Sequence, residues 1–151
     1  MQIVKITSRL LQPAVAQVLT KCAAEGLTHF AKLQPSRLYS NWRGFLETGD
    51  GLAYALLDET GNAVGILLAL KTFDMLTAER QLHEFLWLVA PSARKSGNAV
   101  KLLDALEADA KAAGCVRIIC GADQRHAPKA MSRFYARRGY EPRVFTYSKV
   151  I

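Results

Sequence analysis

The chain lacks several features that define common classes of protein. It has only three cysteines in 151 residues, and an odd number cannot all be paired within one chain. Cys115 and Cys120 fall in one apolar run, without the spacing of a disulfide framework or of a metal site. We therefore expect reduced, buried thiols and no bound metal.

Long apolar runs are also absent. No stretch approaches the roughly 20 apolar residues that span a bilayer. The first residues, Met1 to Ile6, do not have the charged and then apolar layout of a signal peptide. Internal repeats, low-complexity tracts and linker-like segments are lacking as well. The sequence therefore predicts a single domain over residues 1–151, located in the cytoplasm and without membrane contact.

Acidic residues are the scarcer kind of charge. The chain has 20 Lys and Arg against 13 Asp and Glu, which gives a net charge of +7, and half of its residues are hydrophobic. This composition is typical of a globular protein whose surface attracts anions, such as nucleic acid or a polyphosphate cofactor. The basic residues do not form one uninterrupted block, which argues against a nucleic-acid-binding tail.

The stretch from Leu86 to Leu103 gives the first indication of a binding site. An apolar run ends at Pro91, a basic turn containing Gly97 follows, and apolar residues at helical spacing begin near Val100. The first N–H groups of a helix lack partners within the helix, and the helix dipole is positive there. This stretch suits a phosphate or pyrophosphate, although an ordinary connection with solvated basic residues would give the same pattern.

The rest of the chain predicts alternating strands and helices. Apolar patterns predict strands over residues 2–7, at a sheet edge, and over 52–57, 63–70, 82–89, 116–120 (short and buried) and 144–150. Helical spacing predicts helices over 12–24, with Pro13 in the first turn, from a Ser36 cap through Leu46, over 100–112 and over 127–137. The strand at 116–120 most simply pairs in parallel with the strand at 82–89. The predicted fold class is therefore α/β, or α+β, with a mixed sheet.

The second predicted helix is aromatic on one face, where Tyr39, Trp42 and Phe45 recur at helical spacing. Two interpretations stay open. These rings pack in the core, as aromatic residues on helices usually do, or some of them line a substrate pocket together with His29 and Phe30.

Two motifs in this order of elements resemble those of the GCN5-related N-acetyltransferase (GNAT) family over nearly the whole chain. The first is Val89-Ala90-Pro91 followed by Arg94-Lys95-Ser96-Gly97-Asn98-Ala99, which resembles the family's acyl-CoA loop: Arg or Gln, any, any, Gly, any, Gly or Ala. The second is Phe134-Tyr135-Ala136-Arg137-Arg138-Gly139-Tyr140, which resembles the family's late helix and turn. The run Leu82 to Trp87, with its glutamate, resembles small bacterial and phage-encoded members.

The resemblance implies a fold and a donor. The fold is a mixed, mostly antiparallel twisted sheet with a V-shaped splay between its two central parallel strands, flanked by about four helices. The donor is acetyl-CoA, and Arg94, Lys95, Ser96, Gly97, Asn98 and Ala99 inherit the family's role of holding the CoA pyrophosphate. The strand end at Leu88, Val89 and Ala90 is expected to pair with the pantetheine amides, because unpaired strand N–H and C=O groups need partners.

The resemblance also implies candidate catalytic residues. Tyr135 matches the family tyrosine near the CoA sulfur, where it can protonate the departing thiolate, and its alternative role is that of a packed aromatic. Glu84 is the first candidate for the general base, directly or through water, and its alternative role is a structural pair with an arginine. His83 is the rival base. Adjacent strand residues point to opposite faces, so only one of the two easily reaches a given cleft.

Some positions depart from the family pattern. Pro128 stands where many members carry an asparagine that contacts the pantetheine arm, and Gln124 or His126 are candidates to replace it. Asn98 replaces a more usual aliphatic residue of the loop, and Ala99 replaces its second glycine. We expect these departures to affect the affinity of the chain for CoA.

The implied function is transfer of an acetyl group from acetyl-CoA to a primary amine by direct attack in a ternary complex, without a metal. The alternative is an acyl-CoA-binding or regulatory module that keeps the fold without turnover, and a third hypothesis is a nucleic-acid-associated protein that uses the positive charge. The partners are CoA and an unidentified amine, and homodimer formation is left open. The sequence does not select the acceptor, because the fold accepts many.

Overall fold

The computed structural model describes residues 1–23, 34–94, 97–121 and 128–142, in two units, Met1–Cys120 and Gly121–Ile151. Several predictions lie outside the described residues: those for His29, Phe30, Lys95, Ser96, Gln124, His126 and the strand at 144–150. The single domain over residues 1–151 stays a prediction.

A mixed sheet forms the centre of the first unit. Its strands are β1 (Gln2–Lys5), β2 (Gly51–Leu57), β3 (Ala63–Phe73), β4 (Arg80–Val89) and β5 (Arg117–Ile119), and they lie side by side in that order. The first three ladders are antiparallel, and β4 pairs with β5 in parallel. The predicted fold class, the mostly antiparallel sheet and the parallel pair are confirmed.

The described residues form four helices in the first unit and one in the second. They are α1 (Ser8–Cys22), α2 (Pro35–Thr48), the single turn α3 (Pro91–Arg94), α4 (Asn98–Ala112) and, in the second unit, α5 (Pro128–Arg137). The expectation of about four helices did not include α3, which occupies part of the predicted loop. Such a short turn has no apolar periodicity by which a sequence could reveal it.

The starts of the first two helices correct two expectations. Thr7 is extended, and α1 begins at Ser8, so Pro13 lies inside the helix rather than in its first turn. There its ring removes one backbone hydrogen bond. The cap position of α2 is Gln34, followed by Pro35 in the first turn, and Ser36 is already helical. Proline's fixed φ suits the first helical position, so the helix starts one residue earlier than a Ser36 cap implies.

The two faces of the sheet are covered by different helices. On one face, which we call the α4 face, the Tyr54 hydroxyl donates to Asp109 of α4 at 2.5 Å, and a Cβ on Gly65 would lie 3.3 Å from Leu102 of α4. On the other, the α2 face, a Cβ on Gly51 would lie 3.0 Å from Phe45 of α2. Because both faces are packed, β2 and β3 are continuous apolar runs without polar alternation.

A polar network ties α4 to the strands of the α4 face. Asp109 accepts from the Tyr54 hydroxyl and from Lys5 Nζ, the latter at 2.6 Å. Burial, followed by the hydrogen bond to Asp109, raises the pKa of Tyr54 well above its usual range. Burial raises the pKa of Asp109, but the hydrogen bonds from Lys5 and Tyr54 outweigh it and hold that pKa below its ordinary value. Both groups are therefore fixed in charge near neutral pH.

Strand β5 is more exposed than the sequence suggests. Val116, just before the strand, is 65% exposed, and Ile119 is 37% exposed, so the expectation of a buried strand over 116–120 is wrong. Three residues of β5 pair with β4, and β5 is the last strand of the described sheet. An apolar run at such a position lacks the second neighbour that buries a central strand.

Strand β4 is regular at its start and changes pairing after His83. Its partners in β5 are confined to Gln81–His83, while its ladder with β3 continues to Val89. The register with β3 shifts by one residue, because Glu84 pairs with Ala69 and Leu86 pairs with Leu68. Phe85 is therefore the extra residue of a β-bulge. The parting of β4 and β5 agrees with the splay expected between the two parallel strands.

Candidate active site

The start of α4 has the features of an anion site. Gly97 occupies the cap position with φ +69°, a left-handed conformation that favours glycine, and no side chain of the described residues caps the helix. The first turn of α4 contains no acidic residue, and a Cβ placed on Gly97 would meet nothing within 4 Å. No acidic side chain of the first turn therefore opposes the positive end of the helix dipole, and the Cβ direction of Gly97 is open.

Arg94 and Asn98 flank this glycine. Arg94 ends α3, is exposed, and donates from Nε to the carbonyl of Val89 at 2.8 Å. This bond fixes the guanidinium beside the end of β4. Asn98 is the first residue of α4, with its side-chain amide 3.4 Å from the sulfur of Met1, and Ala99 is half-buried behind it. The described part of the predicted loop thus lies around one helix start.

The end of β4 directs its peptide groups in two directions. The Ala90 N–H donates to the carbonyl of Val64, the residue that precedes Gly65 in β3, at 2.7 Å. In an antiparallel ladder the direction alternates along the strand, so Leu88 also turns its peptide groups toward β3, whereas Val89 turns its own away. The Val89 carbonyl accordingly accepts from Arg94. The three residues predicted to meet the pantetheine arm are therefore not equivalent.

Glu84 and His83 lie on opposite faces of the sheet, as expected of neighbours in a strand. Glu84 pairs with Ala69 and shares the α4 face, whereas His83 pairs with Leu70 and shares the α2 face. The Nε2 atom of His83 is buried and has no hydrogen-bond partner within the described part of the chain. Both residues lie where β4 parts from β5, and they point toward different surroundings.

The aromatic side chains of α2 divide between the two interpretations. Trp42 is buried, with 9% of its surface exposed, and Tyr39 is half-buried, which fits a core role. Phe45 is 43% exposed, so it is not a core residue. Sequence reasoning missed Phe85, which is 60% exposed and whose ring centroid lies 5.8 Å from that of Trp42. Phe85 is the extra residue of the β-bulge, and no pattern in the sequence predicts a bulge at this position.

Tyr135 belongs to α5 in the second unit. It is 8% exposed, and its hydroxyl donates to the carbonyl of Gly121 at 3.4 Å. Its ring centroid lies 5.4 Å from that of Phe134 and 5.3 Å from that of Tyr140. Gly139 ends the helix with φ +83°, and the Tyr140 N–H returns to the Tyr135 carbonyl at 3.0 Å. The motif thus forms a compact helix end around the tyrosine.

The chain matches the model of the acetyltransferase (GNAT) family over residues 14–140. In structure it is similar to an aminoglycoside acetyltransferase from an uncultured soil metagenomic sample, with a TM-score of 0.78 and 20% identity over 99% of this chain and 97% of that one. It is also similar to the ribosomal-protein-alanine N-acetyltransferase of Brucella melitensis biovar Abortus 2308, with a TM-score of 0.72 and 17% identity over 100% of both chains.

A further similar structure is the glucosamine-6-phosphate N-acetyltransferase of Arabidopsis thaliana, with a TM-score of 0.74 and 16% identity over 99% of this chain and 97% of that one. No curated protein sequence matches the chain. The names of these three enzymes refer to three different acceptors. At such identities the likeness concerns the fold, and the acceptor has to be inferred from the chain's own residues.

None of the helices in the described residues has the length and apolarity needed to cross a membrane. No group of three or more His, Cys, Asp and Glu side chains suitable for a metal ion occurs there either.

Proposed function

Because the chain belongs to the acetyltransferase (GNAT) family, we propose that it transfers an acetyl group from acetyl-CoA to a primary amine by direct attack in a ternary complex. The observation that carries this proposal is the start of α4, where a left-handed glycine occupies the cap position after the end of β4. A helix start of this kind suits a pyrophosphate, because its first N–H groups lack partners within the helix and the dipole is positive there.

In this proposal the loop holds the CoA pyrophosphate. The backbone of Gly97, Asn98 and Ala99 supplies N–H donors, and the open space over Gly97 permits close approach of the phosphate oxygens. Arg94 adds a full positive charge, and Lys95 and Ser96 complete the loop on the strength of the motif alone. Charge-assisted hydrogen bonds of this kind are stronger than neutral ones.

The end of β4 is proposed to hold the pantetheine arm. Val89 turns its peptide groups away from β3, so its N–H is the donor best directed toward an amide of the arm. In this proposal Leu88 and Ala90 form part of the wall of the pantetheine site through their buried side chains, which are 4% and 0% exposed. The cofactor would then extend the sheet where β5 has parted from β4.

The chemistry moves three protons. The acceptor ammonium loses one proton to become the neutral amine, whose nitrogen bonds to the carbonyl carbon of the thioester. The nitrogen then loses a second proton as the carbon–sulfur bond breaks, and the departing thiolate takes up a proton. We propose Glu84 as the base that removes the proton of the acceptor ammonium, directly or through water, with His83 as its rival. Tyr135 is the proposed proton donor to the thiolate. A phenol of pKa about 10 is a weak acid toward a thiolate of pKa about 8.5, so this contribution is small.

The proposal is tested by measuring release of the CoA thiol from acetyl-CoA with a panel of amines and peptides, together with acetyl-CoA affinity by calorimetry. We expect tight binding of acetyl-CoA and amine-dependent release of CoA. In the same assay Tyr135→Phe is expected to lower kcat more than it changes the affinity for acetyl-CoA. Binding without release above background would instead identify a non-catalytic acyl-CoA-binding module.

A further inference from the structure

We propose that Trp42, Phe45 and Phe85 form an acceptor-binding surface, and that the acceptor is a primary amine carried on an aromatic or flat apolar group. We call these three residues the aromatic surface. The inference rests on the proposed function, because it names the class of amine that the same site acetylates. It is carried by the exposure of Phe45 and Phe85, the contacts that fix their rings and the position of Phe85 on β4.

The β-bulge exposes Phe85. In a regular strand this residue would have a partner in β3 and would alternate with its neighbours between the two packed faces. The extra residue of a bulge is released from that alternation, and bulges commonly re-aim side chains next to active sites. Phe85 is 60% exposed, although Leu82 and Leu86 of the same strand are buried. An aromatic ring held in this position is available to a ligand.

Trp42 fixes the two exposed rings. Its ring centroid lies 5.8 Å from that of Phe85 and 6.2 Å from that of Phe45, with interplanar angles of 76° and 72°. Edge-to-face pairs at these distances are favourable. Because Trp42 is itself buried, the two phenylalanines rest on a rigid support. A ligand ring therefore meets an aromatic surface that needs little reordering, which lowers the entropic cost of binding.

The aromatic surface adjoins the proposed site of transfer. Phe85 directly follows Glu84, at the point where β4 parts from β5, and its ring centroid lies 6.3 Å from that of His83. Because Phe85 contacts Trp42 of α2 and His83, the aromatic surface lies on the α2 face. A bound apolar group there leaves its amine close to His83, the rival base, whereas Glu84 lies on the opposite face. Removing water from the amine also favours its neutral form, which is the nucleophile.

The chemistry of the surface selects the class of acceptor. Phenylalanine rings offer no hydrogen bonds to the hydroxyl groups of a sugar-like amine, whereas they stack well against another aromatic ring. The nearby charged residues of α2, Arg43 and Glu47, form an ion pair with each other at 2.9 Å. The surface therefore favours apolar character in the acceptor over a phosphate or a polyhydroxylated ring.

The inference is tested by comparing 2-phenylethylamine with ethanolamine as acceptors, with acetyl-CoA as donor. Removing one aromatic pair is expected to cost a factor of roughly 3 to 10, so Phe85→Ala should raise KM for 2-phenylethylamine by about that factor. The KM for ethanolamine and the Kd of acetyl-CoA should change by less than about 2-fold. Phe85→Leu, which keeps apolar bulk but loses the ring, should fall between wild type and Phe85→Ala.

Phe73→Ala provides the matched control. Phe73 is 58% exposed at the end of β3, so the variant loses the same side chain at nearly the same exposure but away from the aromatic surface. Phe73→Ala should change neither the KM for 2-phenylethylamine nor the KM for ethanolamine. An equal effect of both variants, or an equal kcat/KM for the two amines, would overturn the inference. Release of CoA with ethanolamine would then still support the proposed function.

A binding measurement distinguishes failure of the aromatic surface from failure of the proposed function. Fluorescence of the tryptophans is recorded during titration with 2-phenylethylamine, in the wild type and in Phe85→Ala. Saturable binding that Phe85→Ala weakens, without any release of CoA, would support the aromatic surface and contradict the proposed catalysis. Absence of binding in the wild type would contradict the surface whatever the outcome of the acetylation assay.

Discussion

The two ends of β4 differ in sequence and in surroundings, because the first is mostly polar and the second is apolar. The first end, Arg80–His83, lies between β3 and β5, and the Arg80 guanidinium donates to the carbonyl of Ala113 at 2.9 Å. The second end, Leu86–Val89, pairs with β3 alone among the described strands and leads into α3 and α4. The first end thus has strand partners on both sides, whereas the second end has a described strand partner on one side only.

The ion pairs and turn around the first end support this contrast. Arg117 of β5 lies 3.7 Å from Asp74 and 3.8 Å from Glu79, in the turn between β3 and β4. At the second end, the corresponding polar contact is that of Arg94 with the Val89 carbonyl, beside a helix start that no side chain in the described part of the chain caps. We infer that variants at the first end change stability, whereas variants at the second end change ligand binding and turnover.

The largest expected effect is at Gly97. A glutamate there places negative charge where the pyrophosphate is proposed to bind, so we expect Gly97→Glu to raise the Kd of acetyl-CoA at least about 100-fold. Calorimetry measures this change.

Backbone strain at this position needs a control, because Gly97 has φ +69° and Gly114, at the other end of α4, has φ +70°. Gly97→Ala and Gly114→Ala should each lose about 1–2 kcal/mol of stability from the left-handed backbone. Only the substitution at residue 97 should weaken acetyl-CoA binding. Equal affinities for the two alanine variants and for Gly97→Glu would contradict the loop assignment.

The second largest effect is expected at the boundary between the two ends of β4, where Glu84 and His83 face opposite sides of the sheet. If Glu84 is the base, Glu84→Gln should lower kcat by about 100-fold with little change in the Kd of acetyl-CoA. His83→Gln should lower kcat by no more than about 3-fold, since it then makes no proton transfer. Steady-state rates across pH measure both, and the reverse order of effects would assign the base to His83.

The smallest expected effect is at Asp74, in the turn at the first end. Hydrogen bonds from the Leu76 and Thr77 N–H groups hold the pKa of the Asp74 carboxyl below its ordinary value. A lowered pKa in the folded state gives stability that is complete above the unfolded pKa of about 4 and is lost as pH falls through the folded pKa. Asp74→Asn should therefore lower Tm at neutral pH, and the difference from wild type should shrink in acid.

Activity provides the discriminating measurement for Asp74. Because the turn lies at the first end of β4, kcat and KM of Asp74→Asn should equal those of the wild type at neutral pH. A change in KM without a change in Tm would mean that this turn belongs to the binding site, and the contrast between the two ends would fail.

Much of the fold follows from local patterns in the sequence. Strands β2, β3 and β4 and helix α4 lie close to their expected positions, because long apolar runs and helical spacing are strong signals. The strand, glycine and helix start of the candidate site were also predicted, since they are contiguous in sequence. Helix starts were less accurate, as Pro13 and Ser36 show, because one proline or serine is compatible with several positions in the first turns.

The sequence by itself determined the order of elements, the family and the candidate anion site, because each depends on residues that are close together in the chain. The tertiary structure alone decided which face His83 and Glu84 occupy, where β4 parts from β5, and that Phe85 is exposed beside Trp42. These features depend on the register between strands distant in sequence, and a shift of one residue reverses the face of every side chain beyond it.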